Sequence, residues 1–210
     1  MRKLIFIAGQ KGGTTKTTTS HLLCLGAHLK KQPAAYVLTD PHRSLKENGR
    51  PYTVMDGRDP DALAQIIKNS EAIKNGWVVI DGGGNRPSFD RSVADLVDLT
   101  VLPFRPSEED VETVAKDLGA LPGSIALPSA WSTNKKAQDA SQWFIDGLER
   151  AYPGRVIRSP LWFVNSAHEL LGENLESPST PVRNAARRTL DVIAEAFARL
   201  EARTPDAADA

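Results

Sequence analysis

Sulfur is scarce in this chain, with one cysteine, Cys24, and two methionines in 210 residues. A single cysteine excludes an internal disulfide framework and fits a reducing compartment. Cys24 lies in an apolar stretch, which points to packing rather than reactivity. Net charge is lacking too, since 26 basic residues face 26 acidic ones. No global field therefore draws the chain to nucleic acid, and any such contact must come from a local patch. No apolar run approaches the roughly 20 residues that span a bilayer. Arg2 and Lys3 precede an apolar run over residues 4–8, which is too short for a secretion signal. His21, His28, His42 and His168 show no metal-ligand spacing with each other or with cysteine. No Ser-His-Asp arrangement and no internal repeat is found. Aromatics make up only 6%, yet four of them are tryptophans. Trp131, Trp143 and Trp162 fall in the second half, where core packing is the first expectation and a partner surface the second.

What is present is an alternation of short apolar runs with segments of helical period. This predicts an α/β domain with a twisted, mostly parallel sheet and helices on both faces. At this length one domain is expected, over residues 1–203, followed by an acidic, disordered tail over 204–210. Strands are expected near residues 3–8, 36–38, 52–55, 77–80 and 100–104. A weaker one covers 124–131, and a last apolar run covers 160–164. Helices are expected over 16–30, from Asp59-Pro60 onward, over 89–97, 108–118 and 137–152, and from Thr180-Pro181 to the end. Asp59 and Thr180 serve as N-caps with proline at the first helical position, and Ser107 with Asp110 forms a capping box.

The most informative stretch is Gln10-Lys11-Gly12-Gly13-Thr14-Thr15-Lys16-Thr17-Thr18. It follows the first strand and opens the first helix, so backbone N–H groups and the helix dipole converge on one anion site. Lys16 is placed to reach β- and γ-phosphates, and the Thr17 hydroxyl to ligate Mg²⁺. The common P-loop pattern expects glycine at positions 10 and 15, where this chain has Gln10 and Thr15. Thr15 puts a Cβ and a hydroxyl where the backbone approaches phosphate, which would weaken binding or slow hydrolysis. Two further motifs end strands, where open parallel sheets bind ligands. Asp40-Pro41-His42 closes the second strand, or is an ordinary strand-ending turn. Asp81 ends the strand over 77–80 and fits a carboxylate that holds Mg²⁺, through water. Gly82-Gly83-Gly84 then lets the backbone come close to a γ-phosphate and sense it. The plain alternative is a glycine-rich turn with no ligand.

The second lysine, Lys11, five residues before Lys16, makes the stretch resemble the deviant Walker A signature of the ParA/MinD family of ATPases. The resemblance covers most of the chain. Asp40-Pro41-His42 is similar to the family's Asp-Pro-Gln element, with Leu38 where a further aspartate is frequent. Residues 94–97 and 101–107 resemble the segment after Walker B, and 156–171 the last strand and following loop. The resemblance implies a P-loop NTPase fold, ATP and Mg²⁺ as cofactors, and a homodimer that sandwiches ATP. Lys11 would cross to the partner's nucleotide, Lys16 would bind the phosphates, and Asp40 would align the attacking water. Gly12, Gly13, Thr14, Thr15, Thr17 and Thr18 would complete the nucleotide site. Asn134 falls where relatives place a base-contacting asparagine, although a surface loop asparagine is an equal reading. Arg183, Arg187 and Arg188 lie at helical spacing in the last helix, where short relatives hold nonspecific DNA; a solvated face is the alternative.

The implied function is that of a short ParA-like ATPase which partitions or positions plasmid DNA in the bacterial cytoplasm, at the nucleoid. A small centromere-binding or adaptor protein would stimulate it. The chain has no basic amphipathic helix of the kind that brings relatives to membranes. A conjugation-associated role like that of StbB- or VirC-type proteins fits equally. Two other classes stay open: a nucleotide-binding switch with little hydrolysis, and a metabolic ATP-dependent ligase on the same scaffold.

Overall fold

The structure is a computed structural model, and it describes residues 1–172 and 175–202. The tail expected to be disordered, 204–210, lies outside the described residues. Six strands form one sheet in the order β3-β2-β4-β1-β5-β6. They are β1 (Arg2–Ile7), β2 (Ala34–Leu38), β3 (Thr53–Asp56), β4 (Gly76–Asp81), β5 (Leu99–Phe104) and β6 (Ser124–Pro128). Every pairing is parallel. The central strands β1, β4 and β5 are apolar and almost wholly buried, as strands covered on both faces must be.

Side-chain alternation divides the core into two layers. Ile5 and Ile7 of β1 face one side with α1 (Lys16–Leu29) and α6 (Thr180–Glu201). Leu4 and Phe6 face the other, with α2 (Pro60–Ser70), α3 (Pro87–Ala94), α4 (Glu108–Ala120) and α5 (Lys135–Ala151). The helices α1 and α6 touch closely at Gly26, where a Cβ would stand 2.2 Å from the Ala186 carbonyl oxygen. The caps at Asp59 and Ser107 form, each side chain accepting from a backbone N–H three residues on, but the expected capping box is only half made, since Asp110 accepts from Arg105 N–H rather than from Ser107 N–H. At α6 the cap is Ser179, one residue before Thr180, and its side chain makes no capping bond.

The apolar run 160–164 adds no strand to the sheet. Leu161 N–H donates to Pro128 O, Trp131 N–H to Leu161 O and Phe163 N–H to Trp131 O, leaving one isolated bridge at Trp131–Trp162. Pro128 and Pro160 have no N–H to extend the pairing. Of the tryptophans expected in the core, Trp131 is buried, whereas Trp143 is 59% and Trp162 38% exposed.

The register positions the site. Ile7 of β1, Leu38 of β2 and Asp81 of β4 are neighbours across three adjacent strands. The segments following each of them therefore emerge side by side at one edge of the sheet.

Candidate nucleotide site

The loop between β1 and α1 is anchored from beneath by two buried carboxylates. Gln10 N–H donates to Asp117 Oδ2 at 3.1 Å, and Gln10 Nε2 to Asp90 Oδ2 at 2.5 Å. Burial, reinforced by the neighbouring Asp117, raises the Asp90 carboxyl to about 7. Its Oδ1 is buried without a hydrogen-bond partner. Gln10 thus replaces the pattern's first glycine with a side chain that pins the loop to α3, while its backbone N–H ties it to α4.

Thr15 adopts the left-handed conformation, φ 71°, that the replaced glycine would favour. Its hydroxyl donates to Ser129 Oγ at 2.7 Å, and Ser129 donates to the Phe104 carbonyl. The departure from glycine is therefore tied to the ends of β5 and β6. Lys16 is buried, and its Nζ donates to Lys11 O at 2.8 Å across the cradle. Burial lowers its pKa, against the pull of Asp81 and other nearby carboxylates.

Lys11 Nζ points away from the cradle, toward the start of α4. It donates to Asp110 Oδ1 at 2.5 Å and pairs with Glu109 at 2.9 Å. The bond to Asp110 is the main cause that raises the lysine pKa. Asp110 has a fully buried side chain and also accepts from Arg105 N and Nε. Burial pushes its carboxyl up, and the Lys11 and Arg105 bonds outweigh this, so the net shift is downward.

Asp81 is completely buried at the end of β4. Tyr36 Oη donates to its Oδ2 at 2.7 Å and Ser20 Oγ to its Oδ1 at 3.3 Å. Desolvation raises its pKa, while Tyr36 and then Thr17 bond to it and oppose the shift. Asp40 accepts from His42 N at 2.9 Å and pairs with Arg43 Nε at 3.4 Å. The glycines after Asp81 are packed tightly: a Cβ on Gly82 would stand 2.9 Å from Ile7 O, and one on Gly83 3.5 Å from Asp40 Cα. Asn85 N–H donates to Gln10 O, which lashes this loop to the first motif.

These segments enclose a polar cavity of about 250 Å³. Gly12 through Thr18, Asp40, Gly82 and Gly84 line it, together with Arg43 and Leu171. Gly83 stands behind this lining, against Asp40. The Thr17 hydroxyl and Asp81 are oxygen donors of the kind a hard divalent cation takes, so the residues fit Mg²⁺. No cluster of three or more His, Cys, Asp or Glu suited to a metal is found among the described residues. A second, apolar cavity adjoins through Thr15 and Thr18 and is walled by Ser129, Trp162, Phe163 and Ala167. Asn134 is not part of it: its Oδ1 caps α5, accepting from Lys136 and Ala137 N–H. In this structure Asn134 is the N-cap of α5.

Of the last-helix arginines, Arg183 and Arg187 are exposed, and Arg183 donates to Thr180 Oγ1. Arg188 turns toward the 160–164 run, where its Nε donates to Pro160 O at 3.4 Å. The three do not form one face. Sequence reasoning missed Arg43, Asp110, Ser129 and Tyr36. Only Asp110 had been singled out, and then as a cap residue. No described helix is long and apolar enough to cross a membrane.

A parallel sheet whose phosphate-cradling loop follows its central strand, with carboxylates at the ends of two adjacent strands, defines the P-loop α/β class. Within it the fold is that of the ParA/MinD-type ATPases. The apo structure of McdA from Cyanothece is 16% identical, with a TM-score of 0.65 over 94% of this chain and 100% of that one. MinD from Pyrococcus horikoshii, complexed with Mg-ADP, is 15% identical, with a TM-score of 0.62 over 92% and 96%. A putative plasmid partition protein from Borrelia burgdorferi, bound to AMPPNP, is 11% identical, with a TM-score of 0.65 over 93% and 99%. The same scaffold occurs in cobyrinic acid a,c-diamide synthase from Mycobacterium smegmatis, at 13% identity and a TM-score of 0.67. No protein-family model and no curated protein sequence matches the chain.

Proposed function

We propose that this chain is a ParA-like ATPase that binds ATP with Mg²⁺, dimerises around it and positions DNA cargo. The observation that carries the reading is the pairing of two lysines on one loop. Lys16 spans the cradle, while Lys11 stands outside it on an acidic perch. A lysine whose amino group faces away from its own cradle is suited to a nucleotide held by another subunit.

In this reading Lys16 and the N–H groups from Gly12 to Thr18 bind the phosphates, and the adjoining apolar cavity takes the base. Thr17 would ligate Mg²⁺, with Asp81, whose Oδ2 already accepts from Tyr36, acting through water. Asp40 aligns the attacking water, and Gly82 and Gly83 register the γ-phosphate against it. Catalysis is then positioning and charge neutralisation, with little covalent work for the protein. Exposed Arg183 and Arg187 are the candidate DNA contacts. Partition and conjugative DNA delivery remain variants of this one mechanism, each with its own adaptor protein.

The test is steady-state ATP turnover with and without nonspecific duplex DNA, beside Lys16→Ala. The reading expects turnover that DNA raises and the variant abolishes. A second reading is favoured by Thr15: a switch that binds ATP and barely hydrolyses it. Tight nucleotide binding with turnover no greater than that of Lys16→Ala, with or without DNA, selects the switch.

A further inference from the structure

Beside the phosphate cradle lies another cavity, of about 290 Å³, between α1, the end of β2 and the segment after Asp40. It shares Thr17, Arg43 and Leu171 with the cradle, and of the rest only Tyr36, through its hydroxyl on Asp81, has a role above. Its floor is formed by two stacked rings and a leucine. The His21 ring stacks on Tyr36 with centroids 4.2 Å apart, and Leu38 lies beside them. His21 Nδ1 is paired with the Tyr52 hydroxyl at 2.8 Å. Burial holds the imidazole pKa down to about 3, so the ring is neutral at physiological pH and adds no charge.

The rim is cationic. Arg43, Lys46 and Arg50 line it, with His42 and Ser44. Lys46 Nζ donates to Leu171 O at 2.8 Å, and the Arg50 guanidinium donates to Leu170 O and Gly172 O at 2.6 and 2.7 Å. Those carbonyls satisfy donors without cancelling charge. Arg50 Nε is buried with no hydrogen-bond partner. The lining contains no carboxylate; Asp40 reaches it only through its pair with Arg43, and Asp81 lies behind the Tyr36 hydroxyl. Three cations therefore converge on one small cavity in a chain whose net charge is zero.

We propose that this cavity binds a small anionic metabolite, its carboxylate or phosphate group at Arg43, Lys46 and Arg50 and its apolar body on the His21–Tyr36 floor. Arg43 couples the ligand to the nucleotide site, because it contacts Asp40 and belongs to both cavities. The site requires neither DNA nor a dimer, so it stands apart from the function proposed above.

The experiment is calorimetric titration of succinate and, separately, of inorganic phosphate. The proteins are the nucleotide-free wild type, Lys16→Met and Lys46→Glu. Lys46 is exposed and bonded only to a carbonyl, so its replacement spares the core; Arg43→Gln serves as a second variant. At least one probe is expected to bind wild type and Lys16→Met alike, and to bind both rim variants roughly tenfold more weakly. Binding of succinate alone identifies a carboxylate ligand, and binding of phosphate alone a phosphate ester. No binding of either probe overturns the proposal. Binding kept in Lys46→Glu and lost in Lys16→Met also overturns it, by placing the anion in the P-loop. Displacement of the bound probe by a short DNA duplex would assign the cations to a nucleic-acid backbone instead, and the proposal would again fall.

Discussion

Thr15 illustrates how a residue that breaks a sequence pattern is accommodated by its surroundings. A non-glycine residue in the left-handed region costs about 1–2 kcal/mol. The bond from Thr15 to Ser129 returns about 1 kcal/mol, and threonine also restricts the unfolded chain relative to glycine by roughly 0.5–1 kcal/mol. These terms nearly cancel, so Thr15→Gly is expected to change stability by no more than about 1 kcal/mol in denaturant unfolding. MgATP affinity, by contrast, should rise in a nucleotide titration, because the loop backbone could then close on phosphate. A stability loss well beyond that value would make the Thr15–Ser129 bond a structural requirement. Asp90 gives a second prediction at this scale. Its carboxyl is raised to about 7 in the folded state, above the usual carboxylate value near 4. Between those values the folded protein holds the extra proton, so Asp90 lowers stability as pH rises from about 4 to about 7, by at most about 1.4 kcal/mol per pH unit. Asp90→Asn should remove that slope. Its stability relative to wild type should therefore grow with pH across this window and level off above it, as followed by urea unfolding at each pH.

At the scale of elements, the contact between α1 and α6 decides whether the helix that follows the P-loop is held in place. Gly26 permits it, since a Cβ there would meet the Ala186 backbone, which cannot move aside as a side chain could. Gly26→Ala should therefore destabilise by about 3 kcal/mol despite alanine's better helix propensity, at the upper end of overpacking costs. Thermal unfolding checks this, and a stabilised variant would show that the two helices can separate freely. Nothing in the sequence marks Gly26 apart from its place inside the expected helix over 16–30. The fold itself was largely legible, because buried parallel strands read as continuous apolar runs and the motifs stand at their ends. The 160–164 run could not be told from a strand, because apolar composition does not reveal that prolines on both sides cut the ladder short. Asn134 could not be given a single role from the sequence, because an N-cap and a ligand contact call for the same short polar side chain. The partners of Lys11 could not be read at all: Asp110 lies 99 residues away in sequence, and only the sheet order brings α4 beside the P-loop.

For the whole molecule, that same juxtaposition bears on assembly. Lys11 is held within its own chain by a buried carboxylate and a neighbouring glutamate, so in the proposed dimer its transfer to a second subunit would break a charge-assisted hydrogen bond. Dimerisation should therefore be opposed by Asp110 and driven by the nucleotide that replaces it as the lysine's partner. Two variants separate these effects. Lys11→Ala should bind MgATP as a monomer with little change in affinity and fail to dimerise; it also frees Asp110 of its lysine, so its fold is checked by thermal unfolding alongside. Asp110→Asn keeps the shape of the perch and the bond to Arg105 N while removing the charge. It should shift the ATP-dependent monomer–dimer equilibrium toward dimer by roughly tenfold, about 1.4 kcal/mol, the scale of one charge-assisted bond made neutral. Analytical ultracentrifugation with a nonhydrolysable ATP analogue measures both. If Lys11→Ala dimerises as wild type does, Lys11 has no role across the interface. If Asp110→Asn weakens the dimer instead, the carboxylate belongs to the assembled interface rather than to a latch that opposes it.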